Sequence, residues 1–208
     1  AMDAKVGKIP PELRRTFDTF SDFYIGDVGV VPFSIPHDAA DPVGYRLWGG
    51  GLSIATATDL GHFPRSVRDA VAGSSLVLLE SNHDIDMLHA NDHYSAQLKA
   101  RILGRYGHLS NEACGEALLQ LYQTGVRHAV LGHLSHENNT PELAMSTVCG
   151  VLRAHGLEPK RLRFVASSAE NAPSLALVEA RRGGKAGLSV EPMLFIGSAD
   201  WDKVYFRT

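Results

Sequence analysis

The alternation of apolar and polar residues predicts strands first and then a succession of strands and helices. Residues 22–35 read DFYIGDVGVVPFSI, which is typical of one or two strands broken at a glycine. Apolar runs at 45–48 and 52–58 flank three glycines and indicate a hairpin. Further strands are expected at residues 74–80, 126–132, 162–166, 175–180 and 191–197.

Helical periodicity fills the intervals between several of these strands. A short helix is expected to begin at Pro64 and to end at Gly73, since proline favours a first turn and glycine a last one. Longer helices are expected at 94–106, 110–125 and 140–156, with apolar residues recurring at helical spacing. Strands followed by strand–helix alternation predict an α/β layered domain.

Composition limits the classes of protein to which the chain can belong. With 208 residues, 44% of them hydrophobic, and a net charge of −3, it is an ordinary globular domain with room for a sizeable core. The apolar runs are shorter than a membrane span needs and the first residues contain no apolar signal region, so neither membrane insertion nor secretion is expected. The two cysteines, Cys114 and Cys149, lie in helical patterns, which favours a reducing cytoplasm over a disulfide framework.

Polar residues that ligate metals follow three of the predicted strands. His37 follows VVPFSIP, Asp59 follows LSIATAT, and His133 follows HAVLG. Imidazole and carboxylate suit Zn²⁺, Mn²⁺ or Fe, so the pattern predicts a divalent metal site. Structural roles without metal binding stay open, because a lone strand-end histidine is usually structural and Asp59 could cap a turn with Gly61.

Five segments carry a resemblance to a known family. They read SIPHDAADPVGY, ATATDLGHFP, LLESNHDIDML, LKARILGRYGHLSNEACGEAL and LGHLSHENNTPELA. Together they resemble the metallo-β-lactamase fold and, more narrowly, its WalJ/YycJ-like branch of metal-dependent 5′→3′ DNA exonucleases. The resemblance covers roughly residues 1–157 and implies an αββα sandwich, a divalent metal and a DNA substrate.

The resemblance assigns roles to individual residues. His37 and His133 match metal ligands, and Asp59 matches the aspartate that bridges two metals. Glu80 and His108 match an acid–imidazole pair in which the histidine donates to the phosphate; such an acid would orient the ring. His136 receives no ligand role. The basic residues Lys99, Arg101 and Arg105 would contact phosphates or form a solvated helix face.

The sequence also departs from the family's pattern. It contains no His-x-His-x-Asp-His motif, and residue 1 aligns with the middle of the domain, so four ligands and about one sheet are expected to be missing. We therefore expect residues 1–157 to be the C-terminal portion of such a domain and residues 158–208 to be a β-rich extension packed on it. The extension resembles either the hairpin that opens the fold or an ordinary terminal hairpin.

Three functions follow as expectations. The first is a metal-dependent phosphodiesterase, most specifically a 5′→3′ DNA exonuclease, that is impaired as an isolated chain and needs a homo-oligomer or a complementing chain. The second is a hydrolase of the same fold that acts on a small ester or a cyclic phosphate. The third is a non-catalytic half-domain that acts through a partner chain.

Overall fold

A computed structural model describes residues 7, 9–166, 173, 175–182, 185 and 187–195. The strands in this part are β1 Phe23–Ile25, β2 Val28–Ser34, β3 Val43–Gly49, β4 Leu52–Ala57, β5 Leu76–Glu80, β6 His128–Gly132, β7 Leu157–Ala166, β8 Leu175–Arg182, β9 Ser189–Val190 and β10 Leu194–Phe195. The α-helices are α1 Arg65–Val71, α2 Ile85–Ala90, α3 Ala96–Ile102, α4 Asn111–Gln123 and α5 Pro141–Ala154, preceded by a 3-10 turn at Pro11–Leu13.

All of these strands belong to one mixed sheet. Its order is β1-β2-β3-β4-β5-β6-β8-β7-β10, and β9 pairs with β7. The first four strands are antiparallel neighbours, whereas β4, β5 and β6 are parallel. Parallel strands end at the same edge, and β2 runs in the same direction as β4. The loops that follow β2, β4, β5 and β6 therefore meet at one edge of the sheet.

The hydrophobic core lies between one face of this sheet and the helices α1, α4 and α5. Alternate residues of the parallel strands point into it: Ala55, Ala57, Val77, Leu79, Ala129 and Leu131. Helix α4 contributes Cys114, Ala117, Leu118 and Leu121, and helix α5 contributes Met145, Val148, Cys149 and Leu152. The predicted α/β class is confirmed as a large mixed sheet with helices packed on it.

The opposite face of the sheet carries a second row of apolar residues. Strand pairing brings Val30, Leu47, Ile54 and Leu76 into one cross-strand row. Leu47 and Leu76 are only partly buried, and Ile54 is 44% exposed. Val30 is 3% exposed. This face, called here the open face, is therefore less covered than the helix-facing side only around Ile54.

The segment between β5 and α4 differs from the prediction. The helix expected over 94–106 covers only Ala96–Ile102, because the chain then turns sharply enough for the His108 N–H to donate to Ile102 O at 2.9 Å. A Cβ at Gly107 would lie 2.1 Å from that same oxygen, so the turn requires glycine. Helix α2 was not predicted, although Asp84 caps it by accepting from Met87 N–H.

The tail extends the same sheet. Strand β7 begins at Leu157, earlier than the 162–166 expected, and β8 joins the sheet by pairing with β6. The division into residues 1–157 and 158–208 stays a prediction. The last predicted strand corresponds to β10, and its residues 196–197 lie outside the described part. Within that part, no helix is long and apolar enough to cross a membrane.

Candidate functional site

The edge where β2, β4, β5 and β6 end carries a cluster of histidines and acids. His37, Asp59, Glu80 and His133 follow or end these strands, and His108 arrives from the loop between α3 and α4. The rings of His37 and His108 are 5.1 Å apart, and those of His108 and His133 are 5.3 Å apart. Residues separated by up to 96 positions in the sequence thus share one small volume.

Glu80 is the organising residue of this cluster. Its carboxylate is fully buried, and Oε2 accepts from the backbone N–H groups of Leu60 at 2.9 Å and Leu109 at 3.1 Å. Oε1 accepts from Nδ1 of His108 at 2.8 Å and from Nδ1 of His133 at 2.5 Å. One carboxylate therefore fixes the orientation of two imidazoles.

These hydrogen bonds set the charge of the acid. Burial alone would raise the pKa of Glu80, but hydrogen bonds from His108, His133 and the Leu60 N–H outweigh it and lower that pKa to about 2. The hydrogen bond to Glu80 in turn raises the pKa of His133. With Glu80 ionised, both histidines must donate through Nδ1, which leaves each neutral ring with its lone pair on Nε2.

Asp59 and His133 both have unusual backbone conformations. Their φ angles are +60° and +56°, and they are the only residues other than glycine with positive φ in the described part of the chain. Aspartate and histidine are among the residue types that tolerate this region, at some cost in energy. The conformation brings Asp59 Oδ1 to 3.6 Å from His133 Nε2.

His37 approaches the same carboxylate from β2. Its Nδ1 donates to the carbonyl oxygen of Gly107 at 3.1 Å, so Nε2 carries the lone pair of the neutral ring. That Nε2 is 3.9 Å from Asp59 Oδ1 and 3.6 Å from Asp38 Oδ1. Asp38 is itself paired with Arg101, and the hydrogen bond from that guanidinium lowers the pKa of Asp38.

The donor set fits a divalent metal ion. One ligand atom from each of Asp59, Glu80, His108 and His133 lies within 4.8 Å of the others. Glu80 already accepts four hydrogen bonds, which favours orientation of the imidazoles over metal ligation. Two ligands at about 2.1 Å from one ion would be roughly 3–3.5 Å apart, which is slightly less than the Asp59–His133 and Asp59–His37 separations. Assignment of His37, Asp59 and His133 as the ligands stays a prediction.

A buried amide network fixes the loops that carry the cluster. Asn139 Nδ2 donates to the backbone oxygens of Ser81 at 2.8 Å and Asn82 at 3.0 Å, and Asn111 Nδ2 donates to Asn139 Oδ1 at 3.0 Å. Asn82 Nδ2 donates to His133 O at 2.8 Å. These bonds tie the loop after β5 to the loop after β6, so the positions of Glu80 and His133 depend on each other.

The three basic residues do not form one helix face. Lys99 and Arg101 lie on α3, but Arg105 lies beyond its end. Each has a local partner: Lys99 Nζ donates to His89 O at 2.7 Å, Arg101 pairs with Asp38, and Arg105 Nη2 lies 3.4 Å from His62 Nε2. The prediction that they share one helix is therefore wrong, and their contact with phosphates stays a prediction.

A cavity of about 460 Å³ opens beside the cluster. His37, Asp59, His108 and His133 line one side of it, and His136 is an exposed part of its rim. The other side consists of side chains from α3 and its preceding loop, namely Tyr94, Leu98, Arg101 and Ile102. Sequence reasoning missed this wall, because it placed Leu98 and Ile102 on the apolar side of a longer helix and gave them no place at the site.

Comparison with known proteins places the chain in a family. Residues 3–134 match the family model described as a beta-lactamase superfamily domain. The chain belongs to this superfamily. Its members are hydrolases, and the fold implies binding of a divalent metal.

The curated relatives are named exonucleases. The chain is 33% identical over 156 residues to exodeoxyribonuclease YycJ of Bacillus anthracis and 34% identical over 147 residues to exodeoxyribonuclease WalJ of Streptococcus pneumoniae. These matches cover 75% and 71% of this chain but only 59% and 54% of the relatives. The chain thus spans little more than half the length of either.

Solved structures of the same fold are more distant. The metallo-β-lactamase fold protein YhfI from Bacillus subtilis is 15% identical with a TM-score of 0.48, covering 65% of this chain and 48% of that one. Zn²⁺-bound PqqB from Methylobacterium extorquens is 22% identical with a TM-score of 0.45, covering 66% of this chain and 48% of that one.

Proposed function

We propose that this chain supplies half of the active site of a metal-dependent phosphodiesterase that removes nucleotides from the 5′ ends of DNA. The observation that carries the proposal is the Glu80 carboxylate, which holds His108 and His133 through Nδ1 beside Asp59 and His37. The names of the two exonuclease relatives favour DNA as the substrate. The proposal extends those activities to a chain that covers only part of each relative.

The residues have separate tasks in this proposal. His37, Asp59 and His133 would hold the divalent metal, Zn²⁺ or Mn²⁺ with Fe as a further candidate, which lowers the pKa of a bound water and polarises the phosphate. His108 lies at the cavity wall with Nε2 free of Glu80, so once protonated it can donate to the departing oxygen. Glu80 orients the His108 ring for this proton transfer.

The isolated chain is expected to be a poor nuclease. Its sequence has no His-x-His-x-Asp-His motif, so the ligands that would complete a two-metal clamp are not present. The open face also leaves apolar side chains such as Ile54 accessible. A polypeptide segment that provides the missing histidines and covers this face, whether joined to this chain or separate from it, would repair both deficits; a second copy of this chain would cover the face only.

The test is manganese-dependent digestion of 5′-phosphorylated duplex DNA. We expect little turnover by the pure chain and strong turnover after a first-half fragment carrying the His-x-His-x-Asp-His motif is added. His133→Ala should abolish the restored activity, whereas His128→Ala, an exposed histidine at the start of the same strand, should not. Robust turnover by the pure chain would contradict the incomplete site, and failure of every complemented mixture would overturn the nuclease proposal.

A cytoplasmic location is proposed on cysteine chemistry. Cys114 and Cys149 are both free and buried, and burial raises the pKa of Cys114 to about 12. Thiols kept protonated inside a core are inert packing groups, which suits a reducing compartment.

A further inference from the structure

The cavity beside the cluster has two chemically different sides. The imidazoles and Asp59 form a polar floor, while Tyr94, Leu98 and Ile102 form a largely apolar wall. Leu98 is 36% exposed and Tyr94 and Ile102 are partly exposed, so none of these side chains is buried in the core. Helix α3 has no buried residue at all in the described structure.

We infer that this cavity is the subsite for the terminal base of the nucleic acid, with Tyr94 as the residue on which that base stacks. The inference rests on the proposed function and adds to it the group that determines how the substrate end is held. Aromatic side chains bind bases of any sequence, because every base presents a π face. The cavity floor would then hold the phosphate that follows the stacked nucleoside.

The charge of the wall favours a base over a phosphate. Arg101 is the cation on this side, and both its Nε and its Nη2 donate to the carboxylate of Asp38, at 2.5 and 3.0 Å. A bidentate pair of this kind satisfies the acid and neutralises most of the local field. The remaining surface of Tyr94, Leu98 and Ile102 offers dispersion and stacking contacts rather than phosphate contacts.

The size of the cavity favours one nucleotide unit. A volume of about 460 Å³ lies in the range of sites that hold one small molecule. A terminal nucleotide whose base enters this cavity leaves its base pair, at the cost of unpairing and unstacking. Stacking on Tyr94 would offset part of that cost.

The experiment measures binding of small probes to the purified chain by calorimetry in the presence of Mn²⁺, so that it does not depend on turnover. The probes are deoxyadenosine 3′-monophosphate and deoxyribose 3-phosphate, which lacks the base. We expect Tyr94→Ala to weaken binding of the nucleotide about tenfold or more and to leave binding of the sugar phosphate unchanged. Tyr94→Phe should retain the nucleotide affinity, because it keeps the aromatic ring.

Tyr106→Ala is the matched control, since Tyr106 is 61% exposed on the neighbouring turn and does not line the cavity. Equal nucleotide affinity for wild type and Tyr94→Ala would overturn the inference, as would equal affinity of wild type for both probes or no nucleotide binding at all. Tyr94-dependent binding without DNA digestion by the complemented protein would overturn the proposed nuclease instead and leave the base subsite in place.

Discussion

At the scale of single residues, the site depends on one buried carboxylate. Glu80 accepts two backbone N–H groups on one oxygen and two imidazoles on the other, so its ionised form is fully satisfied inside the protein. A carboxylate behind a histidine fixes the tautomer and makes Nε2 a better ligand. In the proposed site the acid would therefore act on His133 and, through it, on the metal.

Glu80→Gln is expected to weaken metal binding. The glutamine oxygen can accept only on one side, so the amide NH₂ group must face either the two backbone donors or the two imidazoles. Where it faces the rings, Nδ1 becomes an acceptor and the proton moves to Nε2, which then cannot ligate. We expect Mn²⁺ affinity, measured by calorimetry, to fall roughly 10–100-fold. Glu116→Gln on the exposed side of α4 is the control; an unchanged affinity for Glu80→Gln would contradict the orienting role.

A second residue-scale prediction concerns pH. His83 is 1% exposed, and neither ring nitrogen has a hydrogen-bond partner among the described residues. Burial lowers its pKa to about 4, against an ordinary value of 6.5 for histidine. Between these values the unfolded chain takes up a proton that the folded chain does not, so the free energy of unfolding falls as the pH falls from 6.5 towards 4, by up to about 3 kcal/mol.

His83→Leu should therefore flatten this part of the stability profile. Urea unfolding between pH 4.5 and 7 would show a smaller loss of stability for the variant than for wild type. The exposed His128 provides the control, because His128→Leu removes a histidine without changing the buried one. A variant whose stability falls as steeply as that of wild type would show that His83 is protonated in the folded protein.

At the scale of elements, two glycines in the packed helices α4 and α5 differ in the space available for a side chain. A Cβ at Gly115 would lie 2.8 Å from Cβ of Val151, whereas a Cβ at Gly150 would meet nothing within 4 Å. Gly115→Ala should lower the free energy of unfolding by about 1–3 kcal/mol through overpacking. Gly150→Ala should raise it by up to about 1 kcal/mol through helix propensity. Thermal unfolding of both variants is the measurement, and equal shifts would contradict the close approach.

Elements with strong periodicity were predictable, and those fixed by loop contacts were not. The strands β4, β5 and β6 and the helices α4 and α5 follow from apolar spacing and from caps such as Ser110 and Thr140, whose side chains accept from the first turn. The early end of α3 was not predictable, because it depends on the fit of Gly107 against the Ile102 oxygen. No apolar periodicity in the sequence indicates that contact.

The candidate site was likewise predictable only in part. Strand-end placement and the family resemblance identified five candidate residues from the sequence, and in the structure all five lie at one edge of the sheet. They are His37, Asp59, Glu80, His108 and His133. The sharing of Glu80 between two imidazoles could not be predicted, since it depends on the distance between loops that the buried Asn111–Asn139 pair sets. The positive φ angles of Asp59 and His133 are likewise a property of the assembled edge.

At the scale of the whole molecule, the two faces of the sheet differ in how well they are covered. The helix-facing side contains fully buried residues such as Ala55, Val77 and Leu131, each 0% exposed. On the open face Ile54 remains 44% exposed beside Leu47 and Leu76. We expect a partner to cover the part of this row around Ile54, because covering it removes hydrocarbon from water.

Ile54→Lys should therefore separate association from folding. Ile54 is already half exposed, so the stability of the chain alone should change by only about 0.5 kcal/mol. A lysine in the middle of the covered face would have to be desolvated, so we expect the affinity for the complementing first-half fragment to fall at least tenfold, as measured by calorimetry. Leu13→Lys is the control for a general effect of added charge, since Leu13 lies in the 3-10 turn and is 71% exposed. Equal affinity for the Ile54→Lys and Leu13→Lys chains would mean that the complementing fragment binds elsewhere and that the open face stays exposed to water in the active protein.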